Sequence, residues 1–322
     1  MLDRAWSKLR QRRRVPGFQS RFGGLWTDRL DALEVLEGKR ARGAIAPAEA
    51  EALRSWIADG YWIRPGAIAP ELIDRLNGEV EELWRRHDER ARVEIDGRYL
   101  ALGPQLRQEH CKLVDLYAHN RSALEIALAE PIRAFLRTVF EGQALLFQSL
   151  SFERGSEQPI HQDSAYVVVT PPMAMVASWI ALEDVQPGSG ELAYHPGSQR
   201  LPEYLFRGFR NWNRERDGLE AQRDYHAWLL DELARRGLAE HLFRPKKGDV
   251  LFWNADLAHG GSPIRERALT RKSLVCHYCP ADARPYYFTY RPERRTRLEH
   301  AGECYASKQH DLVPEPGSGQ RT

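Results

Sequence analysis

Three side chains, two of them close together in the sequence and the third far downstream, have the types and spacing to share a single metal ion. In Pro159-Ile-His-Gln-Asp163 an imidazole and a carboxylate stand two residues apart. Alternate residues of an extended segment project to the same side, so His161 and Asp163 offer a nitrogen and an oxygen a few ångströms apart. The third, His259, follows the apolar stretch Asp249-Val-Leu-Phe-Trp-Asn254 and opens a Gly-rich turn, His259-Gly-Gly-Ser-Pro263. Two imidazoles and one carboxylate on one face of an octahedral ion leave three positions open, which suits Fe(II) that must bind a co-substrate and O2 together. A lone His-x-Asp is common by chance, and a His after a buried strand more often caps or packs. The joint order carries the reading: His-x-Asp, a Gly-rich hairpin, a His after Gly-Asp-Val-Leu-Phe-Trp, and then an Arg on the next strand.

That Arg is Arg271, in Leu269-Thr-Arg-Lys-Ser-Leu-Val-Cys-His-Tyr278. A guanidinium grips a carboxylate with a planar fork and keeps its charge when buried. A dicarboxylic 2-oxo acid needs such an anchor at its far end, with Arg267 and Lys272 as the competing candidates. Cys276 and Cys279 form a single C-x-x-C whose sulfurs would face opposite ways on a strand, so they read as core packing rather than a zinc site.

The elements that position these residues are helical first and strand-rich afterwards. Apolar spacing from Pro47 to Asp59 predicts a helix stopped by Gly60, followed by a short strand at Tyr61-Trp-Ile63. A second helix is expected from Pro70 through Leu83, and a third from Ser122 to Phe140. From Ala144 to Tyr278 short Val/Ile/Phe/Trp-rich stretches alternate with Gly/Pro turns, the pattern of an antiparallel double sheet such as a jelly roll. Residues 201–246 interrupt it as a charged insertion, helical from Asp217 to Arg236 by periodicity. An insertion this long is more often a lid or wall than a passive loop. Its Tyr204, Phe206, Arg210, Trp212, Tyr225 and Trp228 either line a pocket for an anionic, partly apolar small molecule or simply pack the lid. The expected organisation is a basic arm and wrapping segment over 1–45, one domain over 46–290, and a C-terminal tail over 291–322.

Composition narrows the partners. Lys plus Arg (47) nearly balances Asp plus Glu (45) among 322 residues, so no global field points to nucleic acid. No apolar run approaches the roughly 20 residues needed to span a bilayer, and no secretory leader is evident. Four cysteines do not make a disulfide framework, and the expected compartment is the cytoplasm. Residues 1–14 are locally basic, with Arg4, Lys8, Arg10, Arg12, Arg13 and Arg14. Such an arm is usually a solvated tail or a subunit contact; the competing expectation is a weak membrane-surface contact. Oligomeric state does not follow.

From about Trp56 to Tyr278 the sequence resembles the phytanoyl-CoA dioxygenase family of Fe(II)/2-oxoglutarate oxygenases. The matching stretches are His161-Gln-Asp163, Ser178-Trp-Ile-Ala-Leu-Glu-Asp184, Gly190-Glu-Leu, Pro196-Gly-Ser198, Gly248-Asp-Val-Leu-Phe, His259-Gly and Arg271-Lys-Ser-Leu-Val-Cys-His-Tyr278. The resemblance implies a mainly β fold with flanking helices, a double-stranded β-helix (cupin-like) core. It implies His161, Asp163 and His259 as iron ligands, Arg271 as the clamp on 2-oxoglutarate with Ser262 near it, and Trp179 and Lys112 beside the co-substrate. The implied reaction is hydroxylation of a small-molecule C–H with O2, yielding succinate and CO2; the carboxylate ligand Asp163 argues against halogenation. The chain departs from the family's pattern at Glu153, Arg154 and Gln199, which touches the outer shell rather than the iron. Two other readings remain: a silent metal-binding jelly roll, against which Arg271 argues, and a zinc hydrolase, for which no general base stands at motif spacing.

Overall fold

The computed structural model describes residues 15–95, 97–108 and 111–312. The basic arm of residues 1–14 and the polar end from Val313 lie outside the described residues. In chain order the strands are β1 (Tyr61–Arg64), β2 (Arg92–Ile95), β3 (Arg98–Ala101), β4 (Lys112–Val114), β5 (Ala144–Phe152), β6 (Val169–Thr170), β7 (Val176–Ala181) and β8 (Leu192–Tyr194). They continue as β9 (His241–Phe243), β10 (Val250–Asn254), β11 (His259–Gly261), β12 (Ser273–Pro280), β13 (Arg284–Pro285), β14 (Leu298–His300) and β15 (Glu303–Tyr305). The large sheet runs β1-β10-β7-β12-β5-β4-β2-β3, and the smaller runs β11-β8-β9. The fold is mainly β with flanking helices, the double-stranded β-helix implied above.

Both faces of the large sheet are covered, which explains its composition. Val176, Ile180, Val250, Phe252, Leu274 and Cys276 face the helices, whereas Ala177, Trp179, Leu251, Trp253 and Val275 face the smaller sheet. Every residue of β7 and β10 is buried, so these strands read as continuous apolar runs rather than alternating ones. Each large apolar side chain buried in this way stabilises by about 1.5–3 kcal/mol. Cys276 and Cys279 fall in different clusters, as strand parity requires.

The helical cover begins with α1 (Ala32–Ala41), α2 (Pro47–Asp59) and α3 (Pro70–Arg86). Gly60 closes α2 in the left-handed region at φ 80°, which the absence of a Cβ makes easy. The third expected helix is two: α4 (Arg121–Ala127) and α5 (Glu130–Phe140). Pro131 is the cause, because its ring would strike the carbonyl one turn back and it has no N–H to give a continuing helix. In the insertion, α6 (Arg214–Arg235) starts on an Asn213 cap and breaks at Gly218.

Two segments are tied to the body of the fold. Residues 22–28 wrap as expected: Trp26 Nε1 donates to the Thr138 carbonyl, and Asn254 Nδ2 donates to Asp28. Residues 298–306, expected to trail, instead join the sheet, with β15 parallel to β5 and Tyr117 Oη donating to the Ala306 carbonyl.

Candidate metal centre

The His161 and His259 backbones form a two-way bridge, each N–H donating to the other's carbonyl at 2.8 and 2.9 Å. Residues bridged in this way stand directly opposite each other with their side chains on the same face of the ladder. The imidazole centroids stand 4.5 Å apart. Close approach of the two backbones also explains the glycines after His259. A Cβ at Gly260 would lie 2.6 Å from the Gln158 carbonyl oxygen, and one at Gly261 2.7 Å from the Glu157 nitrogen.

Hydrogen bonds behind each ring set its tautomer. His161 Nδ1 donates to the Pro159 carbonyl and His259 Nδ1 to the Leu257 carbonyl, both at 2.9 Å. A carbonyl only accepts, so each Nδ1 carries a proton and each Nε2 is the ring atom turned toward Asp163, with Gln158 Nε2 3.4 Å from that of His161. Asp163 Oδ1 lies 3.8 Å from His161 Nε2 and 3.7 Å from His259 Nε2. The other carboxylate oxygen, Oδ2, accepts from Trp253 Nε1 at 2.7 Å and from His277 Nε2 at 3.3 Å. One oxygen is thus anchored and one presented. The three ligand atoms lie within 4.8 Å of one another, and all three residues are buried.

Electrostatics favour the ligand forms. Burial, then the neighbouring His259, pushes His161 down to about 3, so its imidazole is neutral at ordinary pH. Burial alone would raise the Asp163 carboxyl, but His259, His277 and His161 outweigh it and hold it below the usual carboxylate range. Two imidazole nitrogens with a carboxylate oxygen are a donor set that fits Fe(II).

The other end of the interior carries the Arg271 guanidinium, 3% exposed. Its carbon lies 5.3 Å from the Trp179 ring and 5.4 Å from the Phe152 ring. One amino group reaches the Arg154 carbonyl at 3.4 Å, while Nε has no partner. Burial lowers its proton affinity, and Glu183 and Glu191 oppose that, leaving it charged at neutral pH. Two residues on, Ser273 Oγ is also buried without a partner. A buried guanidinium with no direct ion-pair partner, two residues from an orphan hydroxyl, is a candidate cradle for a carboxylate.

The remaining expected residues fall as follows. Trp179, 1% exposed, stacks the wall beneath Arg271. Ser262 Oγ donates to Glu191 Oε2 at 3.3 Å, placing it among the carboxylates near Arg271. The Lys112 ammonium pairs with Glu94 at 2.8 Å, its cross-strand neighbour. Trp253, His277 and Ser273 were not singled out from sequence. Their strands are apolar runs, and only the parity shared with Val275 shows that His277 and Ser273 face inward. An irregularity between His277 and Tyr278 marks the place.

Fold and site together define an oxygenase of the Fe(II)/2-oxoglutarate-dependent class. The model of the phytanoyl-CoA dioxygenase (PhyH) family matches residues 56–273, and the chain belongs to that family. Among solved structures, the chain is similar to the epimerase SnoN in complex with Fe3+, alpha ketoglutarate and nogalamycin RO, with 18% identity and TM-score 0.56, covering 86% of this chain and 97% of that one. It is also similar to EctD from S. alaskensis with 2-oxoglutarate and 5-hydroxyectoine (18%, TM-score 0.53, 73% and 76%). The carbocyclase SnoK from nogalamycin biosynthesis is a third (21%, 0.53, 73% and 86%). These likenesses establish the fold. No curated protein matches the chain in sequence.

Proposed function

We propose that the chain hydroxylates an unactivated C–H bond of a small or amphipathic metabolite, with His161, Asp163 and His259 as Fe(II) ligands and Arg271 as the 2-oxoglutarate anchor. When bound, iron and 2-oxoglutarate supply the oxidising power, O2 and the co-substrate being consumed as succinate and CO2 form. The chain's own residues do the rest. The two Nε2 atoms and the single presented carboxylate oxygen would hold the ion; Trp253 and His277 keep Asp163 from turning its second oxygen inward. Arg271, with Ser273, takes the far carboxylate of the co-substrate, and the walls of Trp179 and Phe152 exclude water around it.

The observation that carries this reading is the coexistence of two complementary ends in one interior. On β12, Val275 is level with Trp179 and His277 with Ala177, one two-residue step apart. The guanidinium over Trp179 and the His277 ring against Asp163 therefore open onto the same face of the sheet. A pure metal module has no need of a buried, unpaired guanidinium. Ser262 would act through Glu191, and Lys112 would reach the co-substrate only by leaving Glu94. Hydroxylation is supported by the intact carboxylate ligand and by the hydroxylated compound in the EctD complex; SnoN and SnoK show that the same fold also hosts epimerisation and ring closure.

The test is a succinate-coupled screen of candidate metabolites with Fe(II), ascorbate and 2-oxoglutarate. Hydroxylation predicts a product heavier than its substrate by one oxygen atom, in step with succinate. A product lighter by two hydrogens, or of unchanged mass, would replace hydroxylation by desaturation or epimerisation. No binding of 2-oxoglutarate would remove the oxygenase reading.

A further inference from the structure

Arg210 belongs to the insertion, yet it is 2% exposed and addresses the metal centre from behind. One of its amino groups donates both to Gln162 Oε1 at 3.1 Å and to Asp256 Oδ1 at 2.5 Å. Its other amino group donates to the Tyr204 carbonyl at 3.1 Å. Gln162 stands between His161 and Asp163, and Asp256 precedes His259 by three residues. A single guanidinium therefore joins the two loops that carry all three candidate ligands.

Gln162 is held on every side. Its backbone N–H donates to Tyr225 Oη at 2.9 Å, and its side-chain nitrogen donates to the Asp256 carbonyl at 2.8 Å. Its own carbonyl accepts from the Ala165 N–H at 3.1 Å. On extended backbone the side chain between two ligands points away from them, which is why Gln162 reaches Arg210 rather than the ion. Ser164 adds a hydroxyl donated to the Asp256 carboxylate. Tyr225 is itself fully buried, on α6 of the insertion.

We propose that Arg210 and Tyr225 are positioning residues of the metal centre: the insertion fixes the relative placement of the His161–Asp163 segment and the His259 loop, and with it the affinity and geometry of the bound ion. This rests on the metal-ligand reading above. Two arguments favour placement over mere stability. A guanidinium carries several fixed donors, so it can satisfy acceptors on two loops at once. A buried ion pair is often no more stabilising than apolar residues of equal volume, so its presence here points to specified geometry.

The experiment titrates the full chain with Co(II), reading affinity and absorption spectrum alongside the melting temperature. The variants are Arg210→Lys, Tyr225→Phe and the double variant Arg210→Met/Asp256→Asn, which removes both charges so that no unpaired carboxylate stays buried. Leu233→Ala, in the same insertion core, serves as the packing control. The expected result is a loss of Co(II) affinity of about 10- to 100-fold with an altered spectrum in the first three, while Leu233→Ala melts earlier with wild-type affinity and spectrum. Variants that bind Co(II) as the wild type does, or whose affinity merely tracks melting temperature as the control's does, would overturn the proposal. A distinct result, Asp163→Ala binding Co(II) as tightly as the wild type, would remove the metal centre itself.

Discussion

The two ends of the interior are built on opposite principles. At the metal end the candidate ligands are engaged on the side turned away from the ion: both Nδ1–H groups meet carbonyls, Asp163 Oδ2 accepts two donors, and Gln162 is tied on all sides, while farther back His277 Nδ1 and Arg210 Nε lack a partner. At the Arg271 end a buried cation keeps an unpartnered Nε beside an unpartnered Ser273 hydroxyl. The first is preorganised, so an ion needs little rearrangement to bind. The second is left incomplete by the chain, and a buried unpaired charge is costly until an anion arrives. The difference teaches which ligand is held by geometry and which by charge.

The largest effect should come from the first end. His259→Ala or Asp163→Ala should reduce succinate formation by more than about 100-fold, beyond the ten- to hundredfold loss usual for residues behind the ligands. Residual turnover near the wild-type rate would break the comparison at its stronger side. Next, Arg271→Gln should raise the KM for 2-oxoglutarate about 30- to 150-fold, the equivalent of about 2–3 kcal/mol of charge-assisted hydrogen bonding. Metal affinity should stay unchanged, and a parallel loss of both would show that the ends are not separable.

His277→Phe sharpens the comparison further. It removes one of two donors to Asp163 Oδ2, so metal affinity should fall about tenfold, with little change in 2-oxoglutarate KM once metal is saturating. Titrations of metal and co-substrate on the same preparation would separate these.

The smallest effect concerns pH. Because burial depresses His161 from 6.5 to about 3, its contribution to stability is complete above pH 6.5. It is lost as pH falls toward 3, because the unfolded chain takes up a proton that the folded one refuses. The metal-free protein should lose about 1 kcal/mol from this group between pH 6.5 and 5.5, read as a lower melting temperature. His161→Asn should flatten that slope; an unchanged slope would mean that His161 is not buried neutral.

How legible this was in the sequence depended on what each residue's neighbours revealed. His161 and Asp163 were readable because their spacing is local, and His259 because it follows Gly-Asp-Val-Leu-Phe-Trp in the order the other motifs set. Helices α2 and α3 and strand β1 followed from periodicity and from Gly60, whereas the division between α4 and α5 required giving Pro131 its full steric weight. His277 and Ser273 were hidden because β12 is covered on both faces, so nothing in its composition shows which residues face inward. Arg210 was visible as one of several aromatic and basic residues in the insertion. Its importance lies in contacts with Gln162 and Asp256, 48 and 46 residues away, which no local pattern encodes.

The most direct test of the central claim is anaerobic Fe(II) binding by equilibrium dialysis, comparing the wild type with His161→Ala, Asp163→Ala and His259→Ala. The account predicts one Fe(II) per wild-type chain and loss of that binding in each variant taken singly. Wild-type affinity surviving in any one of the three would mean that these side chains do not share an ion.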